Sequence, residues 1–263
     1  MDNQQRNFEN DKNRIVQMYL DGTSANKLSK VYNKNISSII WLLRSRNIPI
    51  RSVKKSVNMQ LNSENPEREC LMVTNNFYQK LIGLLCGDGS LRKGVNSKYC
   101  IYTHTDKHLD YIKNLKKEFE SQKIKVSKIW KNKESGCYTF QTQTLKMYDS
   151  LYHIFYEDSS KKKVLNIILT PIILYNWYVG DGNVKSSKDS KNVATEISCK
   201  WYCPFIEKQL QSIFGEGCKY HHSSSKYYIP VKYRNKFLDY IGECKDSCYL
   251  YKFVRNSEDV QRL

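Results

Sequence analysis

A nine-residue segment occurs twice in this chain, LIGLLCGDG at 81–89 and LYNWYVGDG at 174–182, each an apolar helical pattern closing on Gly-Asp-Gly. The two aspartates, Asp88 and Asp181, stand 93 residues apart. Each copy opens the same succession. In the first, strand-like YCIYTHT is followed by amphipathic DKHLDYIKNLKKEFESQ, strand-like KVSKIW, a turn at Glu134-Ser135-Gly136, strand-like CYTFQTQT and helical LKMYDSLYHIFYED. In the second, NVATEISC, CPFIEKQLQSIFG, CKYHH, YYIPV and NKFLDYIGEC take those places. With a short strand after each Gly-Asp-Gly, the order is αββαββα twice, which predicts an α+β fold. Four strands covered on one face do not readily close their own core, so the two copies, 74–165 and 166–263, are expected to pack about a pseudo-twofold axis into a saddle. The motif helices are the natural seam.

Gly83 and Gly87 lie four apart on one helix face, where each costs about 1 kcal/mol relative to alanine. Small residues at that spacing let a second helix backbone approach, which makes Gly83, Gly87, Asn176 and Gly180 the expected interface. Asn176 replaces the glycine equivalent to Gly83, implying an off-centre crossing or an interhelical hydrogen bond. Asp88 and Asp181 then fall at the C-terminal ends of paired helices, where the macrodipole disfavours a carboxylate by a few tenths of a kcal/mol or more. Two carboxylates there also repel one another, and hard divalent cations with oxygen ligands answer both problems. The expected cofactor is Mg2+, two or three ions beside the aspartates, with Gly87 and Gly180 in the same ligand set. Such ions activate water and stabilise a leaving oxygen in phosphodiester hydrolysis, and a neighbouring lysine polarises the water or balances phosphate charge.

Bulk charge names the partner. A net charge of +17 and a pI near 9.4 suit a polyanion, since each neutralised phosphate releases counterions. Residues 1–55 read as three short helices: Ile15 and Met18 inward on the first; Ser24 capping a second with Ala25, Leu28 and Val31 inward; Asn35 capping a third with Ile39, Leu42 and Leu43 inward, closed at Asn47. The spacing resembles a helix-turn-helix unit whose third helix offers Ser37, Ser38, Ile40, Trp41 and Arg44 to DNA, with Arg46 and Arg51 near phosphates. Residues 56–73 read as a linker. No apolar run of 18 residues, secretion signal or lipidation motif is seen, so an intracellular, soluble, DNA-associated protein without a membrane partner is expected. Nine cysteines, an odd number, argue against a disulfide framework. The gaps Cys199/Cys203 and Cys244/Cys248 beside His221 and His222 suggest a zinc site only weakly, since no CxxC pair occurs.

The two repeated segments resemble the signature motifs of the LAGLIDADG homing endonucleases, over roughly residues 74–255. By that resemblance the eighth motif residue, Asp88 and Asp181, is metal-binding and catalytic; Gly87 and Gly180 match the small seventh residue, and Gly83 but not Asn176 matches the third. Two motifs in one chain imply a pseudo-symmetric monomer on a long, weakly symmetric duplex, each sheet in the major groove, cutting both strands to leave short 3′ overhangs. The family's active-site lysine after the last helix of each half carries over to Lys162, within the run Lys161 to Lys163, and to Lys252, neither followed by the family's proline. A helix-turn-helix like that of residues 1–55 is found attached to such enzymes. The alternatives are a DNA-binding regulator that does not cleave, and a maturase acting on intron RNA.

Alternation along the strands gives candidate DNA-reading residues. In the first half these are Arg92, Lys98, Tyr102, His104, Lys128, Trp130, Gln141 and Gln143. In the second they are Lys185, Glu196, Ser198, Lys200, Lys219, His221, Lys226, Tyr228 and Lys232.

Overall fold

The computed structural model describes residues 8, 10–21, 23–50, 71–94, 97–157, 161–162, 166–186 and 193–255. Arg51, most of the expected linker and the side chain of Lys162 lie outside the described residues. The chain divides into two compact units, one of residues 1–70 with 95–97, the other of 71–94 with 98–263.

In the first unit, helices α1 (Lys12–Leu20), α2 (Ala25–Val31) and α3 (Ile36–Ser45) bury Ile15, Tyr19, Leu28, Tyr32, Ile39, Leu42 and Leu43. The expected caps are in place: Ser24 Oγ accepts from Lys27 N at 3.2 Å, and Asn35 Oδ1 from Ser37 N at 3.1 Å. Asn47 takes the left-handed conformation, φ 56°, that ends α3. Val31, expected inward, is exposed; Tyr32 fills the core one position later because α2 ends there.

The second unit carries the duplication. Its first half runs α4 (Asn75–Cys86), β1 (Ser90–Arg92), β2 (Ile101–Asp106), α5 (Leu109–Ser121), β3 (Trp130–Lys131), β4 (Tyr138–Thr144) and α6 (Lys146–Phe155), then a hairpin of β5 (Tyr156–Glu157) and β6 (Lys161–Lys162). The second half repeats the order as α7 (Pro171–Asp181), β7 (Gly182–Ser186), β8 (Val193–Ser198), α8 (Pro204–Ile213), β9 (Lys219–His221), β10 (Lys226–Ile229) and α9 (Val231–Ile241), ending in a 3₁₀ helix, Ser247–Lys252. The two four-stranded antiparallel sheets have matching orders, β1-β2-β4-β3 and β7-β8-β10-β9.

One hydrophobic core runs through both halves, with Leu81, Leu84 and Phe119 from the first and Trp177, Ile197, Tyr227 and Phe237 from the second. The motif helices form its seam. Threonines start both, Thr74 Oγ1 accepting from Phe77 N and Thr170 Oγ1 from Ile173 N, each at 3.3 Å, and Pro171 occupies the first turn of α7. Every residue from Ile173 to Val179 is buried, as befits a helix enclosed on all sides. Among the described residues no helix is long and apolar enough to cross a membrane, and the eight described cysteines are free thiols.

Candidate active site and DNA-facing surface

The seam is closest where the sequence is smallest. A Cβ on Gly83 would stand 2.5 Å from Ile173 O and 2.9 Å from Asn176 Cβ, so the missing side chain is what admits the backbone and the asparagine of α7. One turn on, a Cβ on Gly87 would lie 3.3 Å from Gly180 Cα. Among the described residues Asn176 makes no bond across the seam. Its Nδ2 donates to Ile172 O of its own helix at 2.7 Å, so of the two expected consequences of the Gly83/Asn176 asymmetry the interhelical hydrogen bond is not formed.

This packing brings the two Gly-Asp-Gly ends together. A Cβ on Gly180 would lie 3.1 Å from Asp88 N and 3.2 Å from Asp88 Oδ2, which puts the Asp88 carboxylate directly beside the residue preceding Asp181. Asp88 is exposed and Asp181 half-buried. Beneath Asp88, the ring of Tyr102 fills the space that a Cβ on Gly89 would need, and its hydroxyl is bonded to His104 Nδ1 at 2.8 Å.

Lys252 enters from the 3₁₀ helix and is buried. Its ammonium donates to Val179 O at 2.6 Å and Gly180 O at 3.1 Å, with Tyr178 O at 3.5 Å. These are carbonyls of the last turn of α7, so Lys252 supplies positive charge where the macrodipole is negative. Burial lowers its pKa below the ordinary lysine value; the negative charges of Asp88, Asp181 and Asp106 oppose that without reversing it. The main chain of Lys252 is fixed in turn. Its carbonyl accepts from Tyr178 OH at 2.5 Å and from Arg234 Nη2 at 2.9 Å. Arg234, 1% exposed, also donates to Val254 O at 2.9 Å through Nε and to Thr195 Oγ1 at 2.5 Å through Nη1. On the other side Tyr249 OH donates to Asp106 Oδ2, tying the 3₁₀ helix to the first half, while Asp106 Oδ1 accepts from His108 N at 2.6 Å.

Arg234, Tyr178, Asp106 and Tyr249 were not among the expected site residues. Only Arg234 carried a signal: it lies in phase with Phe237, Leu238 and Ile241 on the buried stripe of α9, where a charged residue needs a reason. Lys162 has a different setting from Lys252. After α6 the chain forms a hairpin in which Lys162 pairs with Tyr156, whose hydroxyl accepts from Leu91 N at 2.9 Å, three residues past Asp88.

The described residues fit a divalent cation in the nature of their donors. Asp88 and Asp181 stand at two adjacent negative helix ends among main-chain oxygens, an all-oxygen set suited to a hard ion. No cluster of three or more His, Cys, Asp or Glu side chains forms among the described residues, so further donors come from the main chain, water or phosphate. Gly180 O already accepts from Lys252, which leaves its second lone pair.

On the sheets, residues facing away from the core are those that can meet DNA. In the second half the expected phase is correct. Ile197, Tyr227 and Tyr220 point into the core, whereas Lys185, Glu196, Ser198, Lys219, His221, Lys226 and Tyr228 share the outer face by register. Glu196 Oε1 is held by Lys185 at 3.1 Å and Oε2 by Lys226 at 2.8 Å. Burial alone would raise the Glu196 pKa; hydrogen bonds from Lys226 and Lys185 outweigh it and hold the carboxyl below its ordinary value.

In the first half the phase of β2 is the reverse of the expectation. Tyr102 and His104 are 0% and 2% exposed and lie in the core, so they are not DNA-reading residues. Ile101, Thr103 and Thr105 take the outer face, with Ser90, Arg92, Gln141 and Trp130 in register beside them. A one-residue shift reverses every side chain, and here the usual polarity cue misleads because the Tyr102 hydroxyl and His104 Nδ1 bond one another inside. Lys98, Lys128 and Lys200 are exposed in connecting segments; Gln143 is half-buried, and its Oε1 is buried without a partner among the described residues. Lys232 is on α9, not a strand: the chain turns helical directly after Pro230. In the first unit Ser37, Trp41, Arg44 and Arg46 are exposed and Ser38 and Ile40 half-buried, with Trp41 67% exposed.

Comparison with known proteins bears on the fold. The homing endonuclease I-WcaI bound to its DNA recognition sequence superposes with TM-score 0.57 at 20% identity, over 70% of this chain and 88% of that one. The N-terminal LAGLIDADG domain of WhiA gives 0.44 at 14% identity, over 66% and 87%. A variant of I-DmoI, in complex with its target DNA in the presence of Mg, gives 0.41 at 17% identity, over 63% and 95%. No curated protein sequence matches. The model of the LAGLIDADG DNA endonuclease family matches residues 78–237, which takes in both Gly-Asp-Gly ends and both sheets. The chain therefore belongs to the LAGLIDADG DNA endonuclease family.

Proposed function

We propose that the chain is a site-specific endonuclease that cuts both strands of a long, weakly symmetric DNA duplex as a monomer, using divalent cations and leaving short 3′ overhangs. The observation that carries this reading is the convergence of Asp88 and Asp181 at the touching ends of α4 and α7, with a buried ammonium, Lys252, against the same helix end. Asp88 and Asp181 would hold Mg2+, which when bound supplies an activated water and neutralises charge on the scissile phosphate.

The remaining work falls to the chain's own groups. Lys252 is already engaged with three carbonyls, so it balances charge across the site and does not hand a proton to substrate. Lys162, reached through the hairpin, is the candidate for the other half-site. The two outer sheet faces grip the major groove, and the helix-turn-helix unit adds contacts through Trp41, Arg44 and Arg46. I-WcaI, which shares the fold, is bound to its DNA recognition sequence, in keeping with this assignment.

The test is selection of cleaved sites from a randomised duplex library with Mg2+, for wild type and for Asp88→Asn and Asp181→Asn. Wild type should cut both strands, and each variant should lose double-strand cleavage by at least about 1,000-fold while still binding. A wild type that binds a site and leaves it intact would establish the regulator reading; tighter binding to structured intron RNA would establish the maturase.

A further inference from the structure

The two DNA-facing sheets are built alike but charged differently, and the difference is concentrated at one position. Thr103 and Glu196 each stand fifteen residues after the aspartate of their half, in the middle of the outer face. Around Thr103 the outer face carries Ser90, Gln141 and, one pair away, Arg92, with no carboxylate among them, and Thr105 Oγ1 and Thr139 Oγ1 are bonded to each other at 2.9 Å. Around Glu196 it is a lysine–glutamate–lysine bridge spanning β7, β8 and β10. A carboxylate at the centre of a surface meant for DNA repels phosphate, so its presence calls for a compensating role.

Its exposure limits what that role can be. The Glu196 side chain is only 7% exposed, both its oxygens are taken, and the Lys185 and Lys226 side chains that cover it are 58% and 29% exposed. What the duplex meets is therefore two ammonium groups, each using one N–H on Glu196 and keeping two. The Tyr228 ring, 5.9 Å from Lys185 Nζ and stacked on His221 at 5.0 Å, supports the lysine from beneath. Two lysines fixed in this way differ from phosphate-binding lysines. Their charge is partly neutralised, which weakens attraction to a phosphate, while their directions are set, which suits directional acceptors. In the major groove guanine alone presents two acceptors side by side, N7 and O6.

We propose that Lys185 and Lys226, held by Glu196, read guanine at neighbouring positions of the half-site under the second sheet, and that Glu196 is a positioning residue for specificity. This rests on the DNA-endonuclease reading above. The first sheet has Thr103 and Thr139 where the second has Glu196 and Lys226, and Arg92 where it has Lys185, so the glutamate-held lysine pair and its two neighbouring guanines belong to one half-site only.

The experiment is a binding selection from a randomised duplex library in EDTA, so that nothing is cut, with full-length wild type, Lys185→Met, Lys226→Met and Glu196→Gln. Wild type should enrich guanine at least about tenfold at one or two positions in one half-site. Each lysine variant should lose the preference at one of those positions and keep the others, with little change in salt dependence. Glu196→Gln should retain affinity while guanine enrichment falls toward uniform. Lysine variants that keep the preference but lower the salt slope by about one would be phosphate contacts, and would overturn the proposal. A cytosine preference lost only in Glu196→Gln would mean that the glutamate itself accepts from a base, and would also overturn it. No enrichment by wild type would overturn it together with the reading it rests on, whereas enrichment identical in all four proteins would overturn it alone.

Discussion

Replacing Gly83 by alanine tests whether the seam between α4 and α7 sets the geometry of the active site. The added methyl would lie 2.5 Å from Ile173 O and 3.0 Å from Ile173 Cα, where ordinary contact begins near 3.4 Å. Both atoms are main chain, so no rotamer change relieves the clash and the helices must part by about 0.9 Å at this point. Overpacking of this kind costs about 1–3 kcal/mol, against which alanine's better helix propensity returns about 1 kcal/mol. The net loss is then ~0–2 kcal/mol, a fall in Tm of at most several degrees for a unit of this size. Activity should suffer far more, because Asp88 and Asp181 are carried on the two helices being separated, and a misplacement of ~1 Å costs about 100-fold in rate. Thermal melts beside single-turnover cleavage would show the contrast, with Gly87→Ala, whose methyl meets Gly180 Cα at 3.3 Å, as the milder partner. A Gly83→Ala protein that melts at or above wild type and cleaves within twofold of it would refute the reasoning.

Other outcomes follow from the same contacts. Arg234→Met should destabilise the second unit by about 2–4 kcal/mol, since it leaves the buried carbonyls of Lys252 and Val254 short of donors; an unchanged urea midpoint would count against that role. Cleavage should lose rate on the alkaline side at a pH below 10.5, because burial lowers the Lys252 pKa and the ammonium is lost earlier than in a free lysine; the limb should move upward in Lys252→Arg. Glu196 stabilises the fold above the ordinary glutamate pKa of 4.5, and this contribution should disappear as pH falls through its lowered value; acid titration of stability should be flatter in Glu196→Gln. In the first unit, Arg44→Ala should lower the salt slope of DNA binding by about one, and Trp41→Ala should weaken binding without altering the slope.

Repetition made the architecture legible: two Gly-Asp-Gly ends in equivalent series set the order of elements, and Ser24, Asn35 and Asn47 announced the ends of short helices. Burial phase was harder. In YYIPV and VATEIS, Tyr227, Ile229 and Ile197 marked the inner face, whereas in IYTHTD the buried pair Tyr102 and His104 is polar by composition and is accommodated inside through the bond between the Tyr102 hydroxyl and His104 Nδ1. Asn176 could not disclose that it bonds within its own helix, since the competing acceptor lay across a seam of unknown separation. The setting of Lys252 was invisible for a different reason: it depends on Arg234, Tyr178 and Asp106, which come together only through the fold.

Tyr249 and Asp106 are 143 residues apart, and their bond ties the end of the second half to the first across the site. During synthesis both aspartates and both sheets emerge before the segment 247–252 that brings the ammonium of Lys252 to the end of α7. An incomplete chain therefore lacks both the charge that balances its carboxylates and the carbonyls of Lys252 and Val254 that hold buried Arg234. The order of emergence makes the docking of this turn the last step in assembling the site, since the groups it joins lie on elements synthesised before it.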